Sequence, residues 1–342
     1  MIKASWKKLT LNFKSPSGTS RGILTQKDSW IISIWEESSP TVIGKGEASI
    51  IKTLSPEWSD QFESKINSIC NTITEHITPE GIQNLYLFPS IQLALETALL
   101  DLKHGGKSVI FPSNFVINQA SIPINGLIWM GDKAFMKSQI DAKINAGFNC
   151  IKLKIGAIDF ETELQILRDI RSSYSASDIE LRVDANGAFS PNEALTKLNQ
   201  LAKFDLHSIE QPIKAGQFQE MGDLCLRTPL PIALDEELIG VTSLSKKEEL
   251  LSHIKPQYII LKPSLIGGFK GSDEWINLAE KQNIDWWITS ALESNIGLNA
   301  IAQYTFTKNN PLPQGLGTGG LFTNNTPSNL IVEHGNLKLL VK

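Results

Sequence analysis

Cysteine is scarce in this sequence, and long hydrophobic runs are absent. Its three cysteines, Cys70, Cys150 and Cys225, lie far apart and form no CxxC pair, which argues against a disulfide framework or a zinc knuckle. Nowhere do about 18 apolar residues follow one another, so no membrane span is predicted. The polar stretch after Met1 also lacks the apolar core of a signal peptide. We therefore expect a cytoplasmic protein with buried, reduced thiols.

A strong excess of one charge is also missing. The 342 residues carry a formal net charge of −4, with 20% charged and 41% apolar residues. These values are typical of globular proteins and give no sign of a nucleic acid or a membrane as partner. The chain is longer than a usual single core, so either two domains or a barrel with an appended domain is expected. The oligomeric state is left open.

The first part of the chain predicts a small α+β domain over residues 1–115. Three stretches alternate between polar and apolar residues, and two later stretches have helical periodicity. The strands are predicted at 5–13, 23–35 and 41–48, and the helices at 58–73 and 90–102. The turn residues at 15–18 lie between the first two strands.

Residues 116–320 follow another rhythm, in which short apolar runs alternate with amphipathic helical segments. The predicted strands are 124–130, 149–154, 179–184, 206–210, 231–235, 257–262 and 285–290, with a shorter eighth near 313–317. The helices between them include 132–146, 159–173, 191–203 and 272–281. The predicted strands follow one another at nearly even intervals. Such regular spacing is typical of parallel strands joined by crossover helices, and less typical of an open doubly wound sheet. We therefore predict an α/β fold, a TIM-like (β/α)8 barrel, with a C-terminal segment, 321–342, that returns to the first domain.

Acidic residues end three successive barrel strands. Asp184, Glu210 and Asp235 should meet at the mouth of the barrel, the face where catalytic residues of this fold lie. Three carboxylates about 5 Å apart would repel one another by roughly 10 kcal/mol in total, so they must take up protons or bind a cation. Oxygen ligands without His or Cys favour Mg²⁺, with Mn²⁺ as an alternative, over zinc. A single acid would more often be a helix N-cap, but three at matching positions favour a metal site.

Lysines occupy other strand ends. Lys152 and Lys154 are two residues apart on one strand and share a face, and Lys262 ends a strand across the mouth. A neighbouring ammonium and a nearby cation both disfavour the charged form of Lys154, which suits a general base. The alternative for a Lys-x-Lys pair is a solvated edge strand, but apolar residues frame this pair as in a buried strand.

Two further polar residues accompany Asp184. Asn186 could orient a ligand or a metal-bound water, and it could equally be a turn residue. Arg182 shares a face with Asp184 and could brace the acids or touch substrate. None of the five histidines occupies a converging position, so we interpret them as structural or surface residues.

Together these segments resemble the enolase superfamily. They are similar to its muconate-lactonizing subgroup, and most closely to the o-succinylbenzoate synthase family, over nearly the whole chain. The N-terminal part resembles that family's α+β capping domain, and residues 15–21 resemble a lid. The segments that carry the resemblance are KLK at 152–154, RVDAN at 182–186, IEQP at 209–212, ALDE at 233–236, LKPS at 261–264 and SALES at 290–294.

The resemblance implies a lyase of menaquinone biosynthesis that acts on a small carboxylate. It implies dehydration of 2-succinyl-6-hydroxy-2,4-cyclohexadiene-1-carboxylate, with Mg²⁺ on the three acids. Lys154 would remove the α-proton and help the hydroxyl leave as water, while Lys262 would stay cationic and stabilise the intermediate. Candidate supporting or substrate-binding residues are Lys152, Asn186, Arg182, Ser290, Glu293, Ser294, Gly317 and Thr318.

Other reactions of the same subgroup stay open, namely those of N-acylamino-acid racemases, dipeptide epimerases and cycloisomerases. Dipeptide epimerases typically carry an acidic pair near the eighth strand, whereas this chain has no Asp or Glu between Glu293 and Glu333. Backbone N–H groups around Gly317 suit an anionic substrate group instead. A barrel that only binds a metabolite is disfavoured, because such a protein gains nothing from paired bases.

Overall fold

The computed structural model of the chain describes residues 1–19, 22–117 and 120–340. An antiparallel sheet, in the order β1-β2-β3, forms the N-terminal part. Its strands are β1 (Ile2–Thr19), β2 (Gly22–Glu36) and β3 (Ser39–Ser49). The three predicted strands are confirmed, but the turn predicted at 15–18 is wrong. β1 continues through it after a register shift, because backbone pairing with β2 does not depend on the side-chain pattern.

Helix α4 packs closely on β3, and two glycines make this approach possible. A Cβ atom at Gly46 would lie 1.8 Å from Ala94 O, and one at Gly44 would lie 2.1 Å from Ala98 O. Alternate residues of β2, including Trp30 and Ile32, are buried in the same core. The helices of this part are α1 (Phe62–Asn71), α2 (Ile73–His76), α3 (Pro79–Gln83) and α4 (Pro89–Lys103).

The second part of the chain is a parallel barrel. Its strands form one sheet in the order β11-β10-β9-β8-β7-β6-β5. Parallel bridges of Thr289 with Gly315 and of Ile124 with Gln314 close the ring at the predicted eighth strand. The strands are β5 (Gly126–Ile128), β6 (Cys150–Lys154), β7 (Glu180–Asp184), β8 (Ser208–Glu210), β9 (Ile232–Leu234), β10 (Tyr258–Leu261) and β11 (Asp285–Ile288).

Helices follow the barrel strands and cover them. Their apolar faces pack on the strands in one large core, as Leu164 and Leu167 do. In the described part of the chain, no helix is long and apolar enough to cross a membrane. The helices are α5 (Asn114–Ile117), α6 (Lys133–Asn145), α7 (Phe160–Ser173), α8 (Pro191–Leu201), α9 (Phe218–Arg227), α10 (Leu244–Ile254), α11 (Pro263–Ile266), α12 (Gly268–Lys281) and α13 (Asn295–Thr307).

The C-terminal segment contacts both parts of the chain. Phe322 bridges Phe13 of β1, and the strands β12 (Leu330–Glu333) and β13 (Asn336–Leu339) extend a small antiparallel sheet from β4 (Ser121–Pro123). The domain limits at 115 and 320 remain predictions. The three cysteines are buried and free, as expected.

Candidate active site

The parallel register brings polar strand ends to one mouth of the barrel. Lys154 on β6 pairs with Asp184 on β7, and Asp184 pairs with Glu210 on β8. Asp235 directly follows β9, the next strand in the sheet. The three acids are therefore on neighbouring strands, and all of them are buried.

Each acid contacts a lysine. Lys152 Nζ donates to Asp184 Oδ2 at 3.0 Å and to Glu210 Oε2 at 2.5 Å. Lys154 Nζ donates to Asp184 Oδ2 at 2.8 Å, and Lys262 Nζ donates to Asp235 Oδ2. Each of these lysine side chains keeps 12% of its surface exposed. The ammonium groups thus lie between the buried acids and open space.

Burial and charge act against each other on the pKa values of these groups. Burial would lower the pKa of Lys152, but Asp184 and Glu210 outweigh it and raise that pKa; Asp235 and Glu210 raise the pKa of Lys262 in the same way. Burial would raise the pKa of Asp184, yet the lysines hold it well below its usual range.

Of the three acids, Glu210 is the one with a raised pKa. Burial and the charge of Asp184 raise the pKa of Glu210 well above its usual value. The pKa of Asp235 falls despite its burial, chiefly because the positive charge of Lys262 stabilises its carboxylate. Contacts with Lys152, Lys154 and Lys262 thus offset part of the repulsion among the three acids.

The acids also fit a divalent cation by their chemistry. All three donors are carboxylates, and Glu210 Oε1 is buried with no hydrogen-bond partner among the described residues. Within 1–19, 22–117 and 120–340, however, no three acidic, His or Cys side chains are arranged as a ready-made metal cage. The acids instead direct oxygens towards lysines, so binding a cation would require side chains to turn.

A cavity of about 290 Å³ lies over these groups. Its lining includes the polar residues Lys152, Lys154 and Lys262 together with apolar residues from both parts of the chain. The apolar residues include Ile23, Leu24, Ile51, Leu54, Leu127, Trp129 and Leu292. A charged group and a hydrocarbon body could therefore bind together.

Some of the predicted supporting residues line the cavity, and others lie behind its wall. Asn186, Ser290, Gly317 and Thr318 line the cavity, as Lys152 does. Asn186 Oδ1 accepts from Lys154 at 2.7 Å, and Ser290 Oγ lies 2.7 Å from Thr318 Oγ1.

Glu293 and Ser294 lie behind the cavity wall. Glu293 accepts from Ser264 Oγ and, at 2.7 Å, from the backbone N–H of Ala291. Ser294 is the N-cap of α13. Both residues therefore hold the wall in place and do not face the cavity.

Comparison with known proteins decides the family. Residues 136–340 match the family described as enolase C-terminal domain-like. The o-succinylbenzoate synthase of Desulfotalea psychrophila is 45% identical over an alignment of 366 positions, which covers 98% of each protein. The chain belongs to the enolase superfamily.

Solved structures agree with this superfamily assignment. The crystal structure of MenC from Desulfotalea psychrophila matches with a TM-score of 0.88 and 42% identity over 99% of both chains. A dipeptide epimerase from Enterococcus faecalis, solved with Mg and the dipeptide L-Leu-L-Tyr, matches with a TM-score of 0.83 and 19% identity. It covers 99% of this chain and 97% of that chain, and at this identity it shows the fold alone. The predicted barrel with a capping domain is confirmed.

Arg182 of this enolase-superfamily chain does not contact the three acids. Its guanidinium donates to Glu180 at 2.7 Å and to Pro313 O at 2.9 Å, and it lies over the ring of Trp287 at 4.2 Å. Arg182 is not among the residues that line the cavity, and the expectation that it braces the acids electrostatically or touches substrate stays a prediction. A shared strand face set only its direction, and a long side chain can bend away along the barrel interior.

Several residues that line the cavity of this superfamily member were not predicted from the sequence. Leu127 lies on β5, and Asn125 and Trp129 flank this strand at alternate positions, so their common face was readable from the period of two in the predicted strand 124–130. Ile51 and Leu54 come from the capping part, and no local pattern connects them with the barrel. Of the predicted lid, Ser20 and Arg21 lie outside the described residues, while the adjoining Gly22–Leu24 stretch lines the cavity.

Proposed function

We propose that the chain catalyses the o-succinylbenzoate synthase reaction, a Mg²⁺-dependent dehydration in menaquinone biosynthesis. The observation that carries the proposal is the 45% identity to an o-succinylbenzoate synthase over 98% of both proteins. The cavity supports it, because its lining combines lysines and acids with apolar residues that suit a cyclohexadiene ring. The chain is thus assigned as a carbon–oxygen lyase acting on a small carboxylate, and we expect it in the cytoplasm.

Asp184, Glu210 and Asp235 would hold the cation. Mg²⁺, or Mn²⁺ in its place, would act when bound as a Lewis acid on the substrate carboxylate. Glu210 Oε1 supports this assignment, because it finds no donor within the described residues and a buried carboxylate oxygen without a donor is costly. Lys152, which bridges Asp184 and Glu210, would keep these two acids in position.

Lys154 is proposed as the base. Its neutral amine would take the α-proton, and the electron pair of the broken C–H bond would form the new double bond. The C–O bond to the ring hydroxyl then breaks, and the hydroxyl leaves as water with the proton that Lys154 returns. Asp184 and Asn186 hold Lys154 Nζ by contacts of 2.8 and 2.7 Å, which fixes its direction.

Lys262 is proposed as the cation that faces the developing negative charge. It follows β10, and three strands separate β10 from β6, which carries Lys154. Asp235 and Glu210 raise the pKa of Lys262 against the effect of burial, so it stays protonated near neutral pH. A fixed positive charge next to a forming carbanion stabilises the transition state more than the ground state.

Ser290, Gly317 and Thr318 are proposed to bind the second carboxylate of the substrate. Ser290 and Thr318 lie together on the cavity wall, and Gly317 supplies backbone without a side chain. Between Glu293 and Glu333 the sequence has no acid that would repel such a group. This part of the cavity therefore favours an anionic over a cationic substrate arm.

A racemase, epimerase or cycloisomerase activity of the same subgroup is the second candidate. Lysines near both Asp184 and Asp235 could remove a proton on one side of a substrate and return it on the other. In heavy water this activity would exchange the α-proton of N-acylamino acids or dipeptides. A barrel that only binds a metabolite would show neither exchange nor product.

The test is a single-turnover assay with the cyclohexadiene precursor, with Mg²⁺ and with a chelator. We expect metal-dependent aromatic product from the wild type, and its loss in Lys154→Ala and in Lys262→Ala. Lys137→Ala, at an exposed lysine of α6, is the matched control and should keep full activity. Absence of product from metal-loaded wild type would contradict the proposal.

A further inference from the structure

Glu47 of the capping part reaches across to the barrel. It lies on β3, and only 1% of its surface is exposed. Its Oε1 accepts from the backbone N–H of Ser294 at 2.8 Å, and its Oε2 accepts from the N–H of Gly297 at 2.9 Å and from Ser294 Oγ. The carboxylate of one part of the chain thus closes the N-terminus of α13 in the other, where a negative charge is favoured.

A second contact of β3 lies beside the first. Ser49 Oγ donates to the backbone carbonyl of Ala291 at 3.4 Å and accepts from Lys27 Nζ at 2.6 Å. Lys27 is 94% covered, and its charge faces Glu47 and Glu293. β3 therefore holds the segment 291–297 at both of its ends.

The start of this segment forms part of the cavity wall. Ala291 and Leu292 line the cavity, as do Thr289 and Ser290 directly before them. Leu292 has a φ of +61°, a left-handed conformation that a leucine rarely adopts and that surrounding contacts must maintain.

The segment is also connected with Lys262. Glu293 accepts from the backbone N–H of Ala291 and from Ser264 Oγ, and Ser264 is two residues beyond Lys262. Contacts that fix residues 291–297 therefore also constrain the start of α11, which follows Lys262.

We propose that Glu47 is a positioning residue for the reaction. It holds the segment 289–297 so that Ser290 and Leu292 face the substrate, and through Glu293 and Ser264 it fixes the position of Lys262. The inference rests on the proposed function, and it makes the capping part a component of the catalytic geometry as well as a cover. Glu47 itself does not line the cavity.

Glu96 offers a matched control for Glu47. It lies on α4 of the capping part and accepts from the backbone N–H of Phe269 at 2.6 Å, at the N-terminus of α12. Both glutamates thus cap a barrel helix from the capping part. The N–H groups that Glu96 binds belong to Phe269 and Lys270, which do not line the cavity.

The experiment compares Glu47→Gln with Glu96→Gln in kcat, KM, melting temperature and amide hydrogen exchange. Since a misplacement of about 1 Å can cost about 100-fold in rate, we expect kcat to fall by about tenfold or more in Glu47→Gln. KM should change less than kcat. Exchange of the amides in 289–297 should accelerate in Glu47→Gln alone, and Glu96→Gln should keep kcat within about twofold of the wild type at a comparable loss of melting temperature.

Two results would overturn the inference. One is an equal loss of kcat in both variants in proportion to their loss of melting temperature, which would reduce Glu47 to a docking contact. The other is unchanged exchange in 289–297 of Glu47→Gln. A wild type without product would instead refute the proposed function, and the exchange comparison would still decide whether Glu47 holds this segment.

Discussion

At the scale of single residues, Glu210 has the least favourable surroundings for a charged carboxylate among the three acids. It is buried, its pKa is raised by burial and by the charge of Asp184, and one of its oxygens has no hydrogen-bond partner in the part of the chain that the structure describes. Lys152 donates a hydrogen bond to the other oxygen, Glu210 Oε2. The residue is thus tolerated in the fold at a cost, which is typical of a functional group.

Glu210→Gln should weaken Mg²⁺ binding by about 100-fold or more and abolish turnover, because an amide oxygen carries no charge for the ion. Titration calorimetry with Mg²⁺ measures the affinity. Glu237→Gln is the control, since Glu237 is also buried but binds Gln211 and the N–H of Gly216 away from the cavity. Equal Mg²⁺ affinity in Glu210→Gln and wild type would remove Glu210 from the metal site.

At the scale of elements, buried carboxylates recur at helix N-termini. Glu57 is an example within the capping part, where it accepts from the backbone N–H of Ser90 at 3.0 Å in the first turn of α4. Burial raises the pKa of Glu57 to about 8, although its hydrogen bonds with Ser90 lower the pKa. The fold therefore binds a proton at Glu57 that the unfolded chain releases near pH 4.5.

This difference predicts the sign of a pH effect. An acid whose folded pKa is raised contributes full stability below its unfolded pKa, and stability falls as pH rises towards about 8. Between pH 5.5 and pH 8, Glu57 should lower the free energy of unfolding of the wild type by about 2–4 kcal/mol, and Glu57→Gln should lack this decrease. Urea unfolding at the two pH values measures it. Glu220→Gln, at an exposed acid in the first turn of α9, should leave the slope unchanged. An identical slope in Glu57→Gln and wild type would contradict the prediction.

The local sequence pattern predicted which strands carry the site residues better than it predicted the contacts of the side chains. Alternation and the even βα spacing placed Asp184, Glu210 and Asp235 on neighbouring strands, because strand ends in a barrel share one face. The bend of Arg182 towards Pro313 depended on side-chain torsions that no period encodes. The pairing of β13 with β4 joins residues about 200 positions apart, and Glu47 reaches α13 over 247 positions. Such contacts are determined by the packed fold.

At the scale of the whole molecule, the cavity exists only where the two parts of the chain meet. Leu24 of β2 lines it and also packs with Leu11, Leu292 and Phe322. The capping part therefore contributes to the affinity for substrate through apolar contact.

Leu24→Ala should raise KM for the cyclohexadiene precursor by about fivefold to 20-fold, since a lost contact of this size is worth about 1–2 kcal/mol. Its kcat should fall less. Leu226→Ala, at a leucine of α9 that is 85% exposed, is the control and should change neither constant. Steady-state kinetics measure both, and an unchanged KM in Leu24→Ala would place the substrate away from the β2 hairpin.

The closure of the barrel by Gln314 and Gly315 has a consequence for synthesis on the ribosome. These residues bridge Ile124 and Thr289, so the ring cannot close before residue 315 has left the exit tunnel. Domains generally fold as units as they emerge, at about 5–20 residues per second. Any parallel sheet that forms earlier in the nascent barrel would therefore have two unpaired edges, and a ribosome stalled before codon 314 would hold a chain prone to edge-to-edge association.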